Sequence, residues 1–277
     1  MLACPVYNLA ALTQSRFHGD KKTMPITYLT RHLLMAMLLL LFSNAALAGC
    51  QTRFLVGWLD WKPYQVWHND KVAGMDIELL KVIMNAAGCR YELTKVPWER
   101  TMRYIKSGDL DLALGASKTA ERSEWAYFSE PYRREIMALF VRRDEYTKWS
   151  AAQNFEQLAG LNPRVMALRG AYYGSTWNQI KDRFFVHQLN KYEQLIQMLG
   201  VQRTDVVLTD LYNGKVLIKE LGLERDITTL DWNASDDDIH MMFSKATVNP
   251  DDIRLIDEAI RQLRQSGTLQ QIIDRYR

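Results

Sequence analysis

Arg122 stands five residues after Ser117, in Ser117-Lys118-Thr119-Ala120-Glu121-Arg122, just beyond an apolar run, Leu110–Leu114, that reads as a β-strand. A guanidinium is a planar fork of N–H donors that matches a carboxylate in bidentate fashion. A serine at a strand exit adds a hydroxyl and unpaired backbone N–H groups beside it. These types at this spacing can hold an anionic group, although the same segment could equally cap and solvate a short helix. Two aromatic loops accompany them: Asp60-Trp61-Lys62-Pro63-Tyr64 after the first strand and Pro97-Trp98-Glu99-Arg100 after the second. Trp61 and Trp98 can wall off water from a polar ligand, and either can also be ordinary core. A bond-breaking constellation is missing from the pattern: His18, His32, His68, His187 and His240 show no metal-ligand spacing, and neither a G-x-S-x-G motif nor a glycine-rich phosphate loop occurs.

The elements that must position these side chains alternate in type. Strand Phe54–Trp58, helix Asp76–Ala87 with Leu79, Ile83 and Ala87 on one face, strand Tyr91–Val96, helix Trp98–Ser107 and strand Leu110–Leu114 follow one another, with Gly88 and Gly108 where helix C-caps favour a positive φ. A second series follows Arg142-Arg143-Asp144: helix Phe155–Ala159, strand Val165–Leu168, helix Ala171–Lys181, strand Phe184–Val186, helix Glu193–Leu199, strand Asp205–Leu208 and helix Leu211–Leu221. A short strand His240–Phe243, a helix opened by Asn249 and Pro250, and a last helix after Gly267 complete the chain. Repeated βαβ units predict an α/β fold, mostly parallel sheet with helices on both faces. No flexible linker separates the two series, which predicts a stiff hinge between them.

The hydrophobic fraction of 48% and charged fraction of 24% are those of an ordinary globular chain, so disorder is not expected. Leu33–Phe42 is an apolar run behind Arg31 and His32, followed by Ala46-Leu47-Ala48, the pattern of a secretory signal peptide. It is too short for the roughly 20 residues a membrane span needs. Met24 would begin a signal of usual length, so residues 1–49 are set aside as upstream segment and signal, and a periplasmic location is expected. Arg16, Lys21, Lys22 and Arg31 against Asp20 carry the whole net charge of +3, leaving the remainder neutral and without a basic nucleic-acid footprint. With Cys4 upstream, Cys50 and Cys89 each precede an apolar strand, and parallel neighbouring strands would bring them within reach of a disulfide. Leu47-Ala48-Gly49-Cys50 also resembles a lipobox, in which Cys50 would carry a lipid and tether the protein to the membrane.

Several motifs in order resemble one family, the extracellular solute-binding proteins that serve polar amino-acid ABC transporters: Gly74-Met75-Asp76-Ile77-Glu78-Leu79, Gly108-Asp109-Leu110-Asp111, Ser117 to Arg122, Phe128-Ser129-Glu130-Pro131-Tyr132, Thr204 to Asp210, and Gly267-Thr268-Leu269. The resemblance covers residues 52–277 and implies the two-lobed periplasmic-binding-protein fold, each lobe a mostly parallel sheet flanked by helices, joined by a two-strand hinge. Lobe 1 would be 52–142 plus 240–277 and lobe 2 143–239, with crossings near Leu139–Arg143 and Asp236–Met241. It implies a small amino-acid-like ligand, an inner-membrane permease partner, no cofactor or metal, and a monomer. Ser117, Gly115 and Arg122 fall in the carboxylate-binding region, and Asp210 takes the place of the carboxylate that receives the ligand's ammonium, although it could also be the N-cap of the next helix. One departure stands out: after Gly170, where many members carry a hydroxyl residue, this chain has Ala171, Tyr172 and Tyr173. Either a bulky phenol such as Tyr172 would replace that hydroxyl or the ligand would not be a standard α-amino acid, and Arg100 would be either a second cation for a side-chain carboxylate or a surface helix arginine. Two alternatives share the fold: a periplasmic enzyme of the cyclohexadienyl-dehydratase type, which incubation with prephenate or arogenate would reveal, and a ligand-presenting partner of a membrane sensor.

Overall fold

The computed structural model describes residues 49–276. The expected signal peptide, Met24 and Cys4 lie outside them. Eleven strands occur among the described residues: β1 Arg53–Trp58, β2 Val66–His68, β3 Lys71–Ala73, β4 Arg90–Lys95, β5 Leu112–Ser117, β6 Ala126–Phe128, β7 Arg133–Arg142, β8 Arg164–Leu168, β9 Phe185–Leu189, β10 Val206–Asp210 and β11 Ile227–Ser244. Nine of them form one continuous sheet in the order β4-β1-β5-β11-β7-β10-β8-β9, with β6 on β11, while β2 and β3 make a separate hairpin.

At one end, β4, β1 and β5 run parallel, as βαβ connections require; at the other, β10, β8 and β9 do the same. Between them the long antiparallel pair β7 and β11 runs from one end to the other. Residues 137–141 of β7 already pair with β10. Residues 239–244 of β11 pair with β5 and β6. The strand pairing puts the first crossing at Arg133–Ile136, where the resemblance implies Leu139–Arg143, and the second near Asp236–Ile239, where it implies Asp236–Met241.

Each end has its own core on both sheet faces. Phe54, Val56, Leu79, Ile83, Ile256 and Ile260 pack on one side of the first, and Ile105, Leu110 and Met242 on the other. In the second, Phe155, Val165, Trp177 and Leu208 oppose Phe140, Leu195, Leu199 and Leu217 across the sheet. This is the two-lobed periplasmic-binding-protein fold.

The expected helices form with small shifts, among them Met75–Ala86, Trp98–Ser107, Tyr192–Gly200, Leu211–Glu220 and Pro250–Gln265, the last capped by Asn249. Gly88 and Gly108 both have positive φ, and Gly108 is the left-handed C-cap that ends its helix. Two expectations fail. The helix expected from Ala171 begins only at Ser175, because the Tyr173 hydroxyl is held in a turn by the Leu168 N–H at 2.7 Å and Gly174 takes φ 97°. The short strand expected at His240–Phe243 is the 18-residue β11. Its acidic run Ser235-Asp236-Asp237-Asp238 looks like a loop, yet Arg134 on β7 faces Asp236 and Asp238 and the ladder continues through them.

Cys50 and Cys89 are joined in a disulfide with Cα atoms 4.7 Å apart, at the start of two parallel strands in the register Arg53↔Arg90. A sulfur so engaged is not free to carry a lipid. The bridge closes a loop with a sequence separation of 39, so reduction is expected to lower the unfolding free energy by about 2–4 kcal/mol. Denaturant melts with and without reductant check this, and coincident midpoints would refute it. No helix among the described residues is long and apolar enough to cross a membrane.

Candidate functional site

The loops leaving the C-terminal ends of β1, β4 and β5 face those leaving β8 and β10, the crevice position at which open α/β sheets hold ligands. Between them lies a cavity lined by Leu59, Trp61, Trp98, Gly115, Ser117, Arg122, Glu135, Met137, Ala171, Tyr172 and Tyr192. Its internal space of about 20 Å³ is near the room one water needs. Six of the eight residues expected at a ligand site meet here: Trp61, Trp98, Gly115, Ser117, Arg122 and Tyr172.

Arg122 sits on the short helix Ala120–Trp125, opened by the Thr119 hydroxyl accepting the Arg122 N–H, so its side chain turns back toward β5. The residue is 8% exposed, and its guanidinium donates to two carbonyls, Ser117 O at 3.0 Å and Gly170 O at 3.1 Å. Among the described residues it forms no ion pair, and burial lowers its pKa from the usual value. A buried cation partnered only by carbonyls favours an anion from outside. Trp98 lies beside it, 5.8 Å from the guanidinium, with its indole N–H on Gly170 O at 3.0 Å.

Trp61 stacks on Tyr192 across the cleft at 5.8 Å and 11°. It needs Gly115: a Cβ there would lie 2.3 Å from the Trp61 ring, and the backbone has φ 71°. That glycine sits where β5 slips against β11, Leu114 and Gly115 lying opposite the single Met241, so the strand bulges beside the cavity. The Trp61 indole N–H is buried without a partner.

Behind this wall Asp76 and Arg133 form a buried, bidentate ion pair, Nε to Oδ1 at 2.7 Å and Nη2 to Oδ2 at 3.2 Å. The Arg133 guanidinium lies 4.1 Å from the Tyr64 ring and 5.1 Å from Trp61. The pair thus fixes both rings, a role for Asp76 that its motif alone does not disclose.

Asp210 and Arg100 are placed apart from the cavity lining. Asp210, 1% exposed, accepts the Tyr64 hydroxyl at 3.0 Å and the Asn213 N–H at 2.7 Å through Oδ1, so it is the N-cap of helix Leu211–Glu220. Its Oδ2 is buried without a partner. Burial, offset in part by the Asn213 N–H and Arg133, raises its pKa to about 6. Arg100 is exposed and lines an outer groove of about 440 Å³ with Arg103, Arg169 and Lys191. Sequence reasoning missed Glu135, Met137 and Tyr192. Glu135 is 3% exposed with Oε1 unpartnered, and burial pushes its carboxyl well above the usual range. The available signal was a carboxylate two positions after Arg133, directly ahead of the apolar run 136–141.

Beyond the cavity, the lobes touch directly. Lys62 pairs with Glu220 at 2.7 Å, Asn213 Nδ2 donates to Lys62 O at 2.7 Å, and the Tyr64 to Asp210 bond spans the same gap.

Two lobes meeting over a walled polar cavity define a solute-binding receptor fold. The chain belongs to the bacterial extracellular solute-binding proteins, family 3, whose pattern it matches over residues 56–277. It is similar to the arginine-binding extracellular protein ArtP of Bacillus subtilis (strain 168), 23% identical over 172 residues, or 61% of this chain. The match spans 65% of the length of that curated relative. Among solved structures, the amino acid ABC transporter substrate-binding protein AbpA of Streptococcus pneumoniae Canada MDR_19A, bound to L-arginine, is 26% identical with a TM-score of 0.68, covering 81% of this chain and 94% of that one. The ancestral amino-acid-binding protein AncCDT-1, a precursor of cyclohexadienyl dehydratase, shares the fold at 19% identity and a TM-score of 0.67, covering 81% and 95%.

Proposed function

We propose that this protein is an exported, periplasmic receptor that closes on a small amino-acid-like ligand, leaves it chemically unchanged and delivers it to an inner-membrane ABC permease. The observation that carries the reading is Arg122, a buried guanidinium on the cavity wall with carbonyl partners only. A ligand carboxylate would complete it, with Ser117 and the Trp61 N–H alongside. Asp210 Oδ2 and the aromatic walls would receive the ammonium and exclude water. ArtP and AbpA, which by their names handle arginine and amino acids, support an amino-acid ligand. The two lobes, divided near Arg133–Ile136 and Asp236–Ile239, would part to admit it, since the closed cavity has room for little more than a water.

The test is a thermal-shift screen against amino acids, opines and small dicarboxylates. A ligand at 100 times its Kd is expected to stabilise the fold by about 2.7 kcal/mol. Acidification should weaken it. Asp210, with a pKa of about 6, is mostly ionised at pH 7.5 and mostly protonated at pH 5, where it no longer attracts an ammonium. Affinity at pH 5 is thus expected about tenfold below that at pH 7.5, because only about a tenth of the site remains ionised. Absence of any stabilising amino-acid-like compound would refute the receptor reading.

A further inference from the structure

The buried charges around the cleft do not balance. Arg133 is neutralised by Asp76, which leaves Arg122 as the one uncompensated cation among the described buried residues here, against two carboxyls, Asp210 and Glu135. Each of these has an oxygen with no hydrogen-bond partner, Oδ2 of Asp210 and Oε1 of Glu135. They are neighbours by construction: Asp210 on β10 pairs with Met137 on β7, and Glu135 lies two residues back, on the same face as Met137. Both Glu135 and Met137 line the cavity. Asp237, directly across the ladder from Glu135, adds a half-buried acid at the same level.

A zwitterionic α-amino acid brings one carboxylate and one ammonium. It would satisfy Arg122 and one acid, leaving the second carboxylate buried without a partner, which is strongly unfavourable unless it stays protonated. A second cationic nitrogen on the ligand removes that penalty. Resting on the receptor reading above, we propose that Glu135 is a ligand-contacting residue and that the cavity selects amino-acid-like ligands carrying a net positive charge. Burial, offset in part by Arg133 and reinforced by the neighbouring Asp210, holds the Glu135 carboxyl well above its usual range.

Isothermal titration calorimetry at pH 7.5 tests this with pairs of similar size and different charge: L-2,4-diaminobutyrate against L-asparagine, L-ornithine against L-glutamine, and L-arginine against L-citrulline. The tightest binder is expected to be cationic and to exceed its neutral counterpart at least tenfold. Glu135→Gln should cut that advantage below threefold while the neutral compound still binds, and Glu135→Asp, which keeps the charge, should retain part of it. Thermal melts establish that both variants fold; if Glu135→Gln does not, Glu135→Asp decides, because full wild-type discrimination with the shortened carboxylate would overturn the assignment. A neutral compound that binds the wild type as tightly as its cationic counterpart would also overturn it, as would undiminished discrimination in Glu135→Gln. Binding of neutral amino acids only would refute this inference and leave the receptor reading standing. Failure of every pair would sink both.

Discussion

Asp76→Ala is expected to lower the unfolding free energy by about 3–5 kcal/mol, because it strands the Arg133 guanidinium in the interior without its counter-charge. Both side chains are almost fully buried, at 0% and 1% exposure, and neither can reach water to recover hydration. The loss should spread to the site, since Arg133 lies against the Tyr64 and Trp61 rings. Urea unfolding followed by tryptophan fluorescence measures the effect. The double replacement Asp76→Leu with Arg133→Met, which removes both charges, should recover most of the stability. A shift below about 1 kcal/mol for Asp76→Ala alone would show that the pair does not brace this lobe.

Arg122→Lys and Asp210→Ala should each weaken ligand binding at least tenfold, since charge-assisted hydrogen bonds contribute about 1.5–3 kcal/mol each and lysine cannot reproduce the bidentate fork. Arg122 stands on the β5 side of the cleft and Asp210 on the β10 side, so under the proposed assignment neither lobe alone would hold both charges of the ligand. A ligand that bridges them favours the closed arrangement through contacts it lacks in the open one. Small-angle scattering with a ligand from the screen should therefore show compaction of the wild type and much less in either variant at the same concentration. Asp210→Ala also removes the cap of helix Leu211–Glu220, so Asp210→Asn, which can keep the cap but not the charge, separates the two effects. Wild-type compaction in both Arg122→Lys and Asp210→Asn would refute the assignment of these anchors.

How much of this was legible in the chain depended on sequence distance. Local periodicity determined most helices and strands: Leu79 and Ile83 face the core, Gly108 ends its helix in a left-handed cap, and Cys50 and Cys89 begin adjacent parallel strands. The same reasoning put Trp61, Trp98 and Ser117 at the C-terminal ends of strands, and one cavity gathers them. Local pattern misjudged β11, because a run of aspartates carries no apolar alternation and is kept in the strand by its backbone ladder to β7, with Arg134 facing Asp236 and Asp238. It also misjudged the stretch after Gly170, where a buried bond from the Leu168 N–H to the Tyr173 hydroxyl overrides helix propensity.

The charges were decided by tertiary structure alone. Asp76 meets Arg133 at a separation of 57 residues and Tyr64 meets Asp210 at 146, distances over which periodicity conveys nothing. Glu135 shows its character only when β7 crosses between the lobes and closure removes water from it. Residue type and spacing set which groups this protein could offer a ligand. Which of them are already paired inside the fold, and which are left buried and unpartnered, followed from packing, because desolvation is a property of the closed cleft rather than of the chain.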